Sequence, residues 1–281
     1  MKPFFKLSLI LLLTTVYSCE EVIDVTVPLE EPRLIIEASL DWQKGTTGNN
    51  QTIKLSISTP YFENQETNIV TGALVTVTNN NSSEEYVFID EGNGLYSISN
   101  FYPIINDTYT LKVIYNNETY IATEILTSVP PIKRLEQSLE GGFDEDVLDV
   151  SIIFDDPINE DNFYFFKFKE DVDLLPEIEY ASDEFVNGNE IDWFLEKERD
   201  DDDDQIAFNS GDVIDLWMYG ISEQYYNYIA LLAEQYYSGG DPFSAVPTKL
   251  KGNCINLDNP DNYAYGYFRL TEFEKRTYVF E

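Results

Sequence analysis

Thr108-Tyr109-Thr110-Leu111-Lys112-Val113-Ile114-Tyr115 decides the fold class of this chain. Tyr109, Leu111 and Val113 fall on one face of an extended strand, while Thr110 and Lys112 fall on the other. A period of two residues is the mark of a half-buried β-strand. Asn116-Asn117 is a turn signal, and it returns the chain into Thr119-Tyr120-Ile121-Ala122-Thr123.

The same reading extends upstream. Leu34 to Leu40 is a first strand, and Gly45 to Asn50 is a loop. Thr52 to Ser58 alternates cleanly, with Ile53, Leu55 and Ile57 on one face. Ala73 to Thr78 follows, closed by Asn79-Asn80-Asn81, then Glu85 to Ile89, the loop Asp90 to Gly94, and Leu95 to Ile98. Short strands at this density predict an immunoglobulin-like β-sandwich over residues 33–128, with Tyr96 and Tyr109 in its core. Val129-Pro130-Pro131-Ile132 is the expected boundary, because two prolines stiffen the chain and remove ladder donors.

Residues 129–281 read as a second β-rich domain carrying one helix. Val147 to Phe154 and Asn162 to Lys169 are expected to form an antiparallel pair across the loop Asp155 to Asp161. The run Phe163-Tyr164-Phe165-Phe166 with Phe168 makes the second of these apolar on both faces. Residues 170–211 form a long acidic region, with a mobile loop expected at Asp200-Asp201-Asp202-Asp203-Asp204, where like charges repel. Asp212 to Tyr219 is a strand, and Tyr265 to Phe280 reads as closing strands. Between them the spacing predicts a helix over 222–237. Ser222 caps it, Glu223 lies in its first turn, and Tyr225, Tyr228, Ile229, Leu232 and Tyr236 form an apolar stripe expected to pack. Gly239-Gly240 and Asp241-Pro242 end it.

Composition narrows the function. The chain has 281 residues and 15% aromatics, ample material for a core and richer in strand formers than in helix formers. Its formal charge is −35, so nucleic acid and anionic headgroups are repelled and a nucleic-acid partner is excluded. There is no histidine, which removes Ser-His-Asp and Cys-His hydrolases and His-containing zinc sites. Two cysteines are present.

The N-terminus carries the strongest functional signal. Lys2 and Lys6 precede the apolar run Leu7 to Leu13, which is too short to span a bilayer. Val16-Tyr17-Ser18-Cys19 then reads as a lipoprotein signal peptide over residues 1–18, with Cys19 as the lipidated residue. Each buried CH₂ of an acyl chain contributes ~0.8 kcal/mol, so several chains hold firmly. Lipidation of Cys19 leaves Cys254 without an intramolecular partner, and the fold must rest on its core. Residues 19–32 form a lipidated acidic tether, and Glu20, Glu21 and Asp24 resemble the signal by which Bacteroidota carry lipoproteins to the outer face of the outer membrane.

Other chemistry is weaker. Asp200, Asp201, Asp202, Asp203 and Asp204 are candidate calcium ligands of a hard-oxygen type, but no EF-hand loop is present. Asp155 to Asn162 and Asp258 to Asn262 are two further acidic clusters of the same kind. Paired carboxylates could run glycoside hydrolysis, but among 52 acidic side chains no pair stands out. Trp42 and Trp193 could stack on sugar rings or be buried.

The order of several motifs resembles the lipoprotein family called domain of unknown function 4249. They are the acidic stretch after Cys19 leading to Pro32-Arg33-Leu34-Ile35-Ile36-Glu37, then Gly72 to Val77, Gly94-Leu95-Tyr96 and Tyr109 to Val113. Val129 to Ile132, Asp241-Pro242-Phe243, Gly252-Asn253-Cys254-Ile255-Asn256 and Tyr265-Gly266-Tyr267-Phe268 follow. Gly94 to Tyr96 and Tyr109 to Val113 are also similar to a structural sandwich module found beside carboxypeptidases and at the start of TonB-dependent receptors. The resemblance implies a lipid-anchored outer-membrane protein associated with a TonB-dependent receptor, and no catalytic residues. The leading expectation is a surface-exposed, non-enzymatic accessory or binding component without a cofactor. The alternatives are a carbohydrate-binding lipoprotein and, last, a carboxylate hydrolase.

Overall fold

Tyr109, Leu111 and Val113 are buried, and across an antiparallel ladder they stand opposite the buried Asn79, Val77 and Val75. This computed structural model describes residues 31–59, 68–142, 147–158, 160–197, 207–237 and 250–281. The signal peptide, Cys19, Glu20, Glu21 and Asp24, the aspartate run 200–204 and the helix stop at 239–242 lie outside the described residues. Within them the chain is mostly β, with a single helix.

The first half supplies β1 (Leu34–Gln43), β2 (Gln51–Ile57), β3 (Asn68–Ile69), β4 (Leu74–Asn79), β5 (Glu85–Asp90), β6 (Leu95–Ile98), β7 (Thr108–Tyr115) and β8 (Glu118–Thr127). One run of pairing is β1-β2-β6 and another is β5-β4-β7-β8, and β5 joins them where Ile89 and Asp90 pair with β6. Ile53, Leu55, Val75, Val77, Tyr96, Tyr109, Leu111 and Val113 share one buried core. Tyr96 and Tyr109 are fully buried, as their strand positions require. The hydroxyl of Tyr96 donates to Val70 O at 3.1 Å and accepts from Ala73 N at 3.1 Å, so its polar tip keeps its hydrogen bonds inside the core.

The second half supplies β9 (Ile132–Ser138), β10 (Asp149–Asp155), β11 (Phe163–Glu170), β12 (Glu177–Ser182), β13 (Glu190–Glu196), β14 (Val213–Ile221), α1 (Glu223–Tyr237), β15 (Ile255–Asn256) and β16 (Tyr265–Val279). Here the structure corrects one expectation. β10 and β11 are not a hairpin: β10 pairs with β9 and β13, whereas β11 pairs with β12 and β14. They meet face to face instead, with the Phe154 ring 4.9 Å from that of Tyr164. The acidic stretch 170–211 contains both β12 and β13. On β13 the acidic residues Glu190, Asp192 and Glu196 take the outer positions while Ile191, Trp193 and Leu195 turn into the core, whereas on β12 Glu177 and Glu179 stand opposite Phe168 and Phe166.

β11 is covered twice. Tyr164, Phe166 and Phe168 enter the core beneath the β13-β10-β9 sheet, and Phe163 and Phe165 pack on the other side with Tyr225 and Tyr226 of α1. Ser222 caps the helix, its Oγ accepting from Tyr225 N at 3.1 Å. The stripe packs through Tyr225, Tyr228 and Ile229, but Leu232 is 40% and Tyr236 80% exposed.

β16 belongs to both halves. Its first part runs parallel to β1, from Tyr265 opposite Ile35 to Phe273 opposite Gln43. Leu270 and Thr271 also pair with β8. From Phe273 onward it runs antiparallel to β14. Gly266 (φ +87°) permits the start of this seam, since a Cβ there would fall on Ile36 O. Residues on either side of Val129 thus hold separate apolar cores, but Phe268 and Leu270 belong to the first core while Phe280 belongs to the second. Pro32–Glu281 forms one compact unit.

Candidate functional site

Alternation along β16 sends Phe268 and Leu270 into the first core and turns Tyr267 and Arg269 the other way, toward α1. Arg269 is 4% exposed. Its Nη2 donates to Asp41 Oδ2 at 2.9 Å and its Nε to Ser39 Oγ at 3.0 Å, both partners lying on β1. The guanidinium carbon lies 4.9 Å from the Tyr225 ring centre, 5.2 Å from Tyr219 and 5.7 Å from Phe165. Contacts of this type favour a cation over an aromatic face.

A second cation enters the same aromatic box. Lys167 on β11 places Nζ 4.8 Å from the Tyr219 ring and 5.5 Å from Phe165. Burial and the like charge of Arg269 hold its ammonium below the usual lysine range, and Asp41 opposes that only in part. Two cations therefore share one carboxylate. Among the described residues, Arg269 Nη1 and Asp41 Oδ1 are buried without a hydrogen-bond partner. The neighbouring Lys275 is different: it is paired with Asp215 at 2.6 Å.

The seam beside the box is pinned by a separate network. Lys44 Nζ donates to Glu272 at 2.9 Å and to Val129 O at 2.7 Å, while Glu272 accepts from Val129 N at 3.1 Å. At the start of α1, Glu124 is 5% exposed and accepts from Tyr267 Oη at 3.2 Å. Burial pushes its carboxyl above the usual range, with hydrogen bonds from Ile125, Ser222 and Tyr267 opposing.

The expected metal chemistry gains no geometry. The aspartates 200–204 are outside the described residues. In the cluster 155–162, Asp155 pairs with Lys133 at 2.9 Å, and Asp156 accepts from Tyr164 Oη and from Gly188 N. In the cluster 258–262, Asp258 accepts from Thr119 N at 2.7 Å and ties that loop to β8. Among the described residues no three His, Cys, Asp or Glu groups are placed to hold a metal ion.

The remaining sequence candidates are packing residues. Cys254 is buried in the first core, and burial pushes its thiol up to about 12, so it stays protonated and unreactive. Trp193 stacks on Phe166 at 5.1 Å. Trp42 donates Nε1 to Thr46 O and packs against the first core. Neither tryptophan is a free platform for a sugar. Sequence reasoning did not single out Arg269, Lys167 or Asp41. A signal was present: Lys167 interrupts the apolar run Phe163 to Phe168, and Arg269 interrupts Tyr267-Phe268-Arg269-Leu270.

Residues 20–277 match the family described as a domain of unknown function, DUF4249. The chain belongs to that family. No curated protein matches it. Among solved structures, this DUF4249 chain is similar to a two-domain fibronectin type III segment of chicken tenascin, at 8% identity and a TM-score of 0.21, covering 68% of this chain and 91% of that one. It is also similar to the FN1–FN3 domains of chicken CNTN1, at 9% identity and a TM-score of 0.25, covering 66% and 62%. A DUF4785 family protein of Legionella pneumophila is similar at 10% identity and a TM-score of 0.23, covering 67% and 50%. These likenesses are too low to carry an argument about the fold of the DUF4249 chain.

Proposed function

We propose that this DUF4249 chain is a lipid-anchored outer-membrane protein facing the cell exterior, acting without catalysis as an accessory or binding component of a TonB-dependent transporter. The observation that carries the reading is the N-terminal sequence: two lysines, the apolar run Leu7 to Leu13, and Ser18-Cys19 followed at once by Glu20 and Glu21. The anchor is Cys19, and Glu20, Glu21 and Asp24 direct the protein outward. The first half is an immunoglobulin-like sandwich in this reading, which the pairing of β1-β2-β6 and β5-β4-β7-β8 supports. The module then serves as a scaffold. A sugar-binding role is the weaker reading, because Trp42 and Trp193 are engaged in packing. Calcium at Asp200 to Asp204 belongs to the proposal only as a loop-ordering ion, and a melting temperature unmoved by millimolar calcium would remove it.

Affinity purification of the tagged, full-length protein from native outer membranes in mild detergent tests the main reading. Recovery of a stoichiometric TonB-dependent channel supports it. Recovery of the lipoprotein alone overturns the association. A Cys19→Ala variant is expected to leave the membrane fraction, and retention there would overturn the anchor.

A further inference from the structure

We infer that Lys167 and Arg269 form a binding site for a small organic carboxylate, with Phe165, Tyr219 and Tyr225 as its apolar walls. The inference is independent of the anchor and of any transporter partner. It rests on an imbalance. Two cations lie over the same pair of rings, those of Phe165 and Tyr219, and share the single carboxylate of Asp41. Charge taken out of water is costly unless it is paired, and here one positive charge is left over. That surplus sits in a chain whose formal charge is −35, where acidic side chains outnumber basic ones threefold and could have supplied a second partner.

The geometry also says what is missing. Arg269 is 4% exposed, and its Nη1 has no hydrogen-bond acceptor among the described residues. Its other nitrogens are spoken for by Asp41 and Ser39, so Nη1 is the donor left for a ligand oxygen. Lys167 is only partly buried and makes no hydrogen bond among the described residues, so its three N–H donors can reach an incoming anion. One surplus charge matches a monoanion better than sulfate or phosphate, and the aromatic walls favour an apolar body behind the carboxylate.

The test is calorimetric titration of full-length protein in detergent with sodium benzoate, with acetate, sulfate and chloride compared at equal ionic strength. Heat of binding is expected for benzoate, and about 20 mM of it is expected to raise the melting temperature by about 3–5 °C over chloride. Acetate is expected to act more weakly, and sulfate no more than chloride. Lys167→Met is expected to fold, to lose the benzoate response and to melt no lower than wild type without ligand, because it removes an unpaired charge. Lys167→Arg is expected to restore the response. No benzoate heat, a larger effect of sulfate, or an equal response in Lys167→Met each overturns the site.

Discussion

β2 and β11 are strands of similar length that read differently because they are covered differently. In β2, Ile53 and Leu55 are fully buried while Thr52 and Lys54 face water, giving the clean alternation of a sheet wet on one side. In β11, Tyr164, Phe166 and Phe168 fill one core, and Phe163 and Phe165 fill another beneath α1. A strand covered on both faces has no outward side on which to leave a charge in water. Lys167 is therefore only partly exposed, and its position over aromatic rings follows from the second cover. The charged face of β2 is surface, while the charge in β11 is a candidate site.

The comparison breaks most sharply on truncation. Phe166→Ala, at a fully buried ring stacked on Trp193, is expected to cost about 3–5 kcal/mol in denaturant unfolding. Val87→Ala, at a position 50% exposed on β5, is expected to stay within about 0.5 kcal/mol. Similar costs at both sites would contradict the double cover of β11.

Gly220→Ala probes whether the two cores unfold together. A Cβ there would fall on Ser128 O, where β14 passes the Val129 connection, and overpacking of this kind costs about 1–3 kcal/mol. Because β16 pairs with both β1 and β14, Trp42 and Trp193 are expected to report one shared transition, lowered in the variant. Two separate fluorescence transitions in single-tryptophan proteins would show that the cores are independent.

The smallest effect is a pH dependence at the helix start. Burial raises the folded-state affinity of Glu124 for its proton. Below the ordinary carboxylate range, folded and unfolded chains are both protonated there and nothing is lost. As pH rises, the unfolded chain releases the proton first, so the wild type loses stability until pH passes the raised folded value. Glu124→Gln does not titrate. Its stability relative to wild type is expected to climb as pH rises through and above the ordinary carboxylate range, and a flat difference would mean that the carboxylate is not desolvated.

Much of the local structure was legible. The strands flanking Asn116-Asn117, the buried tyrosines at 96 and 109 and the helix opened by Ser222 all follow from short-range patterns. β12 and β13 were hidden inside an acidic stretch: Glu190, Asp192 and Glu196 take the outward positions of β13, and Glu177 and Glu179 interrupt β12 opposite Phe168 and Phe166. Arg269 and Lys167 were visible only as charges inside apolar runs, with nothing to show that they meet.

What the sequence determined by itself is the mostly β character, the helix and its cap, and the order of motifs shared with DUF4249. Each of these is written in a window of a few residues, through the period of two, the period of 3.6 and turn chemistry. Only the tertiary structure decided that β10 and β11 face each other instead of pairing, that β16 serves both cores, and that two cations share Asp41. Partner choice is a long-range matter, settled by which apolar faces can be covered together, and no local pattern encodes it.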